Sequence, residues 1–574
     1  MRTPTIYAPL ALAGVLAACT GTATDPGSAK CGSCASGLTC VDSADFPGGL
    51  CTSSCSSSSQ CGVGGHCLQL STGRFCLPGC GSGDACPTGL VCGNAGADGR
   101  VCLVPASPPA TAVSCPAPTV SSGGTVGPGS DPGTCLKPIV STRYPSSMGS
   151  ALSLGTHSPG DSIQFTLPAG TSGFSIVSQG HSANASEVHF NSAVVPNAAF
   201  PASLSTPSSQ SFYNWLNSLS LAPSDRPVNW YTPFAPLTGA FTFPGSTSGL
   251  LTAAQGLAGG SWTLQLDDLL KECAVFSDCA DPERGSTAAL YDLTVLTRSG
   301  GIPAKGGLDL AIYIVSEDST LTAAAAPNDH DLQRALAQVQ ADFARAGICL
   351  QTVTYYDVPA WAQMRFNLIA VSNTVIADPC SDYRQLFTLA QPGNNISLFL
   401  VDGITDASGP PGNRTIGYDG AVPQASSFSG TVAGGAIVSS GDLRDSQRCS
   451  ATFSLSCGPD LVGYTMAHEM GHALGLFHPT ESQGATGEDF DPIVDSPQCL
   501  CSLCVSDSAR AQCADQQGAK SPYTLVEDTA CTQGTQSCGG ADYLMFWLVS
   551  DISRGNVSPQ EGQVMRMNPV VRPL

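Results

Sequence analysis

Basic residues are scarce in this 574-residue sequence: 23 Lys and Arg stand against 44 Asp and Glu, for a net charge of −21. Phosphate backbones are bound by clusters of Lys and Arg, and the sequence has none, so nucleic acid is not expected as a partner. Long apolar runs are missing too. After the N-terminus no stretch approaches the roughly 18 apolar residues that a membrane-spanning helix needs, so a membrane contact has to be an anchor. Charged residues of both signs make up only 12% of the chain, and the excess acid reads as solvated surface. With 42% apolar residues the chain can bury several cores, and about three domains are expected from its length.

Cysteine, by contrast, is abundant. Of 27 cysteines, Cys19 stands apart; twelve fall between Cys31 and Cys102, then come Cys115 and Cys135, Cys273 and Cys279, and ten from Cys349 to Cys538. Even counts in every segment suggest disulfides closed within domains in an oxidising compartment. Cys501 and Cys504 suit a disulfide, with half of a structural zinc site as the alternative. The N-terminus agrees with export: Arg2 precedes an apolar stretch over 6–18, too short to span a bilayer and shaped like a secretory signal. Leu16-Ala17-Ala18-Cys19 resembles the bacterial lipobox, which implies that Cys19 is lipid-modified and that the protein is an envelope lipoprotein of the outer membrane or cell surface; the alternative is a plain signal peptide and a secreted protein.

The cysteines of 31–102 repeat. Cys55, Cys61, Cys67 and Cys76 have spacings close to those of Cys80, Cys86, Cys92 and Cys102, and Cys34, Cys40 and Cys51 form a shortened copy. Modules this small need disulfides, because they cannot bury enough core. They read as a stalk, with ligand binding as the alternative. From 115 to 299 short alternating segments such as 162–167 and 262–266, separated by Gly, Pro and Ser, predict an all-β sandwich. Within it, 260–267 and 289–295 resemble the jelly-roll P domain that accompanies some secreted proteases. Asp267, Asp268 and Asp281 are candidate calcium ligands or a solvated loop.

The most informative feature lies further on. Three of the eight histidines fall in one window, His468-Glu469-Met470-Gly471-His472-Ala473-Leu474-Gly475-Leu476-Phe477-His478. On a helix, His468 and His472 share a face and can reach one metal ion. Six more helical residues would carry His478 about 9 Å along the axis. Gly475 can instead take the left-handed conformation that ends a helix, so that His478 returns as a third ligand. An amphipathic helix with surface histidines would explain the apolar positions and none of the histidines. Three neutral imidazoles leave a zinc ion one open position for water, whose pKa falls to near 7. Glu469 is then the expected general base of a peptide hydrolysis.

This window resembles the zinc signature of the metzincin metallopeptidases, and most closely their pappalysin group. The resemblance extends to Asp495-Ser496-Pro497 and to a closing Ser558-Pro559 followed by Met567. It implies a methionine in a tight turn under the metal, for which Met545 is the candidate, with Met565 and Met567 as rivals placed in a final helix. Two residues later this chain has Trp547 where the family usually has a tyrosine; an indole has one N–H to donate and no phenol oxygen. The segments 308–315 (strand), 331–346 (helix), 349–356 and 396–401 (strands) follow the order that an N-terminal zincin subdomain requires. Segment 436–440 is the candidate edge strand for pairing with extended substrate. Glu488, Asp489, Asp491 and Asp495, in an irregular cysteine-rich segment over 479–540, are candidate calcium ligands.

The expected organisation is multidomain: a lipoprotein signal (1–18), a tether (19–30), small disulfide-rich repeats (31–102), a linker (103–114), a jelly-roll-like all-β sandwich (115–299), a linker (300–306) and an α+β catalytic domain of metzincin type (307–574). The expected activity is zinc-dependent endopeptidase action on protein or peptide substrates. Two alternatives stay open: a surface binding lipoprotein with a vestigial zinc site, and a zinc hydrolase of another amide.

Overall fold

The computed structural model describes residues 51–61, 110–133, 150–180 without 159, 290–372, 380–406 without 392, 414–424 without 421, 434–479, 542–546 and 553–574, with short strand segments and isolated positions elsewhere. Cys19, Asp281, the carboxylates at 488, 489, 491 and 495, the pair Cys501 and Cys504, and Trp547 lie outside the described residues. Two compact units are present, 1–105 and 106–574. Among the described residues no helix is long and apolar enough to cross a membrane.

In the first unit the cysteine repeat corresponds to a repeated hairpin. Cys40 faces Cys51, Cys67 faces Cys76 and Cys92 faces Cys102 across three antiparallel strand pairs. In the middle copy the bonds run Cys55–Cys67 and Cys61–Cys76, so the facing cysteines are tied outward and not to each other.

Among the described residues the second unit contains two antiparallel sheets, one mostly parallel sheet and a two-stranded parallel pair, Leu368–Val371 with Gly403–Asp406. The antiparallel pair has five strands (Thr232–Pro233, Thr238–Phe243, Thr171–Gly180, Tyr291–Ser299, Ser150–His157) and four (Leu204–Ser205, Glu187–Val194, Gly260–Leu269, Ser162–Leu167). Ser162–Leu167 alternates exposed and buried positions, as a strand with one wet face should. Phe165 and Trp262 of the smaller sheet meet Phe174 of the larger, with ring centroids 5.9 and 5.2 Å apart, so the two sheets share a core. Asp267 and Asp268 fall within Gly260–Leu269, in register with His189 and Val188, in a strand and not a loop.

The mostly parallel sheet is built from β1 (Thr119–Thr125), β2 (Gly306–Ile314), β3 (Ile348–Asp357), β4 (Ile396–Val401), β5 (Gly417–Asp419), β6 (Ala436–Ser439) and β7 (Arg572–Pro573), in the order β5-β6-β4-β2-β3-β1 with β7 beside β2. Its helices are α1 (His330–Arg345), α2 (Ala360–Phe366), α3 (Asp382–Phe387), α4 (Gly458–Ala473) and α5 (Pro559–Met567). Leu308, Leu310, Ile312 and Ile314 of β2 pack toward α1 and α4, while Ala311 and Tyr313 pack toward α2 and α3. Both faces are therefore covered, which is why β4 reads Ile-Ser-Leu-Phe-Leu-Val with every residue buried.

The expected boundary at 115 does not match the structure. Strand β1, assigned from sequence to the sandwich, pairs in parallel with β3, and Cys115 is bonded to Cys349 across 234 residues. The expected linker also engages this unit, with Ala110 N–H donating to Val557 O and Val113 N–H to Ala344 O, each at 2.8 Å. The antiparallel sheets are thus an insertion between β1 and β2. At their exit Arg298, fully buried, donates to the carbonyls of Val571 (2.5 Å) and Asn568 (3.3 Å), which fastens the insertion to the end of the chain. The expected edge strand differs as well: β6 lies between β4 and β5, and among the described residues the three-residue β5 is the edge. A segment so short, containing one glycine, gives no periodic signal.

Helices α1 and α4 cross closely, because a Cβ on Gly463 would come within 2.3 Å of Ala335 O. Arg334 of α1 donates two hydrogen bonds, 2.7 and 2.9 Å, to Asp460 in the first turn of α4, where a carboxylate also suits the helix dipole. Further along α1, Asp342 is fully buried; Gln338 donates to its Oδ2 at 2.8 Å, and its Oδ1 faces Gly555. Burial pushes this carboxyl up to about 7, against smaller opposing effects from Gln338 and Arg345. A folded-state value above the unfolded one means that the folded chain holds a proton the unfolded chain has already lost. Stability should therefore fall as pH rises from about 4 to about 7. Asp342→Asn is expected to leave stability near pH 3 unchanged, to raise it at pH 5 and to raise it more at pH 8, measured by urea unfolding; an equal effect at all three pH values would contradict this.

Candidate metal centre

Helix α4 begins at a close turn. Cys457, bonded to Cys449, precedes Gly458, and Pro459 in the first turn needs no backbone donor. The helix ends where the sequence requires it to: Leu474 is the last capping residue and Gly475 has φ 109°, with its N–H donating to His472 O at 2.8 Å. The reversal brings His478 back beneath the helix. Asn568, near the end of α5, donates to Ala473 O at 3.3 Å, and the N–H of Gln424 donates to the same carbonyl at 2.8 Å, so the helix end is held from two sides.

His468, His472 and His478 converge, with one ligand atom of each within 4.8 Å of the others. The Nδ1–H of His468 donates to Leu544 O at 2.7 Å and that of His472 to Leu476 O at 2.7 Å. Each bond leaves Nε2 as the free lone pair. His478 Nε2 lies 3.3 Å from His468 Nε2 and 3.2 Å from His472 Nε2. Nitrogen lone pairs this close repel one another unless a cation or proton sits among them. Tetrahedral coordination with bonds of about 2.0–2.1 Å places ligand nitrogens about 3.3 Å apart, so the residues present fit a zinc-sized ion. Burial, and then His478 beside it, push His468 down to about 3; burial likewise holds His472 well below the ordinary imidazole value. Both are neutral at neutral pH, as metal ligands must be.

Met545 lies in the turn formed by Phe546 N–H donating to Tyr543 O at 3.3 Å, and it is fully buried. Its Sδ occupies the space that a Cβ on Gly471 would need, 2.3 Å from that position, so the thioether sits against the α4 backbone between His468 and His472. Met565 and Met567 are in α5, as expected from sequence. The same turn orients a ligand, since Leu544 O receives His468. Tyr464, one helical turn before His468 and buried, donates toward Tyr543 O at 2.9 Å and Leu544 O at 3.2 Å. Tyr464→Phe is expected to weaken metal binding about tenfold, the lower end for loss of a group supporting a ligand. Competition with a chromophoric chelator measures this, and an unchanged affinity would show that the hydroxyl has no such role.

Glu469 is 6% exposed, and its carboxylate lies against Gly417 of β5. Burial first, and then the charge of Asp419, raise it well above the usual carboxylate range. Asp419 is two residues from Gly417 and so on the same face of the strand. Tyr383 of α3 donates to Asp419 O at 2.7 Å and Arg384 to Gly420 O at 3.1 Å, holding the edge strand from behind. The sequence pattern singled out the three histidines, which the structure brings together, and named Glu469 and Met545 as candidates. It missed β5, Tyr464 and the carbonyl of Leu544, whose roles depend on contacts distant in sequence.

No protein-family model matches the chain, and no curated protein matches it. Among solved structures, metalloproteinase-II from Bacteroides fragilis is similar over 35% of this chain and 57% of its own, at 14% identity and a TM-score of 0.18. A chaperone–substrate complex is similar over 35% of this chain and 30% of its own, also at 14% identity and a TM-score of 0.18. At that TM-score neither likeness bears on fold or activity. The chain thus spans less than two thirds of either structure's length.

Proposed function

We propose that the protein is an exported, zinc-dependent endopeptidase of metzincin type with Glu469 as its general base. One observation carries the reading: His478 Nε2 lies 3.3 and 3.2 Å from the Nε2 atoms of His468 and His472, the spacing of tetrahedral zinc ligands, and carbonyl acceptors orient those two as lone pairs. Zinc supplies a more acidic water and polarises the substrate carbonyl. Glu469 takes the proton of the attacking water on a carboxylate oxygen and gives it to the departing amine nitrogen, which balances the hydrolysis. An extended substrate pairs with β5, the edge strand among the described residues, which places its backbone beside Glu469 and favours loops or unfolded segments over folded cores.

Disulfides in both units support an oxidising location, and an anchor at Cys19 belongs to the same proposal. Calcium at Glu488, Asp489, Asp491 and Asp495 is a separate proposal, tested by melting with and without EGTA. Digestion of a mixed peptide library by the purified chain, with and without 1,10-phenanthroline, tests the function. Cleavage that the chelator abolishes is expected; no cleavage by the zinc-loaded chain would refute it.

A further inference from the structure

We propose that Gly417 is a positioning residue for the general base: the space left by its missing side chain seats the Glu469 carboxylate, so the strand that pairs with substrate also fixes the proton acceptor. This rests on the peptidase reading for its kinetic consequence, while the seat itself is a matter of packing.

A Cβ on Gly417 would lie 2.2 Å from Glu469 Oε1 and 2.7 Å from both Cδ and Cγ. No real Cβ sits that close to another heavy atom, so one group must give way. The strand is held on its inner side by β6, with Gly417 opposite Val438 and Ser439 N–H donating to Ile416 O at 2.8 Å. Tyr383 and Arg384 hold its carbonyls at 419 and 420. Helix α4 is equally constrained, by Arg334 at its start, the close approach at Gly463 and the clamps on Ala473. The carboxylate is the movable part. Gly417 is not among the glycines with positive φ, so alanine suits its backbone and the glycine is needed for space.

A small displacement of a catalytic group costs much rate, because productive geometry is narrow. Gly417→Ala is therefore expected to lower kcat for a cleaved peptide about tenfold or more, with zinc content unchanged. A merely structural role would not move the second readout, the coupling of stabilities. Gly417→Ala should lower the melting temperature of the metal-loaded chain, and the same substitution made in Glu469→Ala should not, because the obstructing carboxylate is gone. Parental kcat in Gly417→Ala would overturn the proposal. So would an equal melting loss in both backgrounds, which would place the defect in the strand itself. If the parent cleaves no peptide, the peptidase reading fails while the melting pair still decides whether Gly417 seats Glu469.

Discussion

Glu469→Ala is expected to remove peptide hydrolysis, by a factor of about 10²–10⁴ or more, and to leave bound metal in place. The two halves of this expectation have separate causes. Metal retention follows because the converging atoms are the Nε2 nitrogens of His468, His472 and His478, oriented by Leu544 O and Leu476 O, and Glu469 contributes to none of these contacts. Loss of rate follows because Glu469, next to His468 in sequence on α4, is the proposed proton acceptor, whereas Asp419, its charged neighbour, belongs to β5. Metal content by mass spectrometry and turnover of a cleaved peptide check the two halves independently. Loss of metal along with activity would recast Glu469 as part of the metal site; residual activity near the parent's would remove it from the mechanism.

The second large effect concerns where the catalytic unit begins. A chain starting at Gly307, the expected domain boundary, should not fold stably, whereas one starting at Ala106 should. The shorter chain lacks β1, which leaves the edge of β3 unpaired, and it lacks Cys115. A disulfide closing a loop this long contributes on the order of 5 kcal/mol in the chain-entropy view, against a total stability of about 5–15 kcal/mol. It also removes Arg298, which donates to the carbonyls of Asn568 and Val571 beside α5 and β7. Cooperative thermal unfolding of the Gly307 chain within a few degrees of the longer one would show these contacts to be dispensable.

How far the sequence could be read depended on how local each signal was. The candidate metal centre sits within eleven residues, and each step of its geometry, the i, i+4 histidines, the terminating glycine and the returning histidine, is a consequence of short-range backbone rules. Strands β2 and β4 were legible because they are apolar runs buried on both faces, and β3 because buried Val353 and Tyr355 alternate with half-buried Thr352, Thr354 and Tyr356. Strand β1 was not: Thr-Val-Ser-Ser-Gly-Gly-Thr has one large apolar residue, and its place comes from pairing with β3 and from a disulfide 234 residues long. The even cysteine counts pointed to bonds within domains, yet Cys115 crosses the expected boundary, since parity cannot fix connectivity. Gly417 and Gly471 carry no signal of their own. Each matters only because a side chain from elsewhere, Glu469 or Met545, fills the space where a Cβ would be.

The most direct measurement is zinc K-edge absorption on the purified chain, together with metal stoichiometry. One zinc per chain is expected, with three imidazole nitrogens at about 2.0–2.1 Å and a light oxygen or nitrogen neighbour completing the shell. Sulfur neighbours, fewer than three imidazoles, or a chain that binds no zinc at neutral pH would contradict the assignment of His468, His472 and His478 as the catalytic metal site.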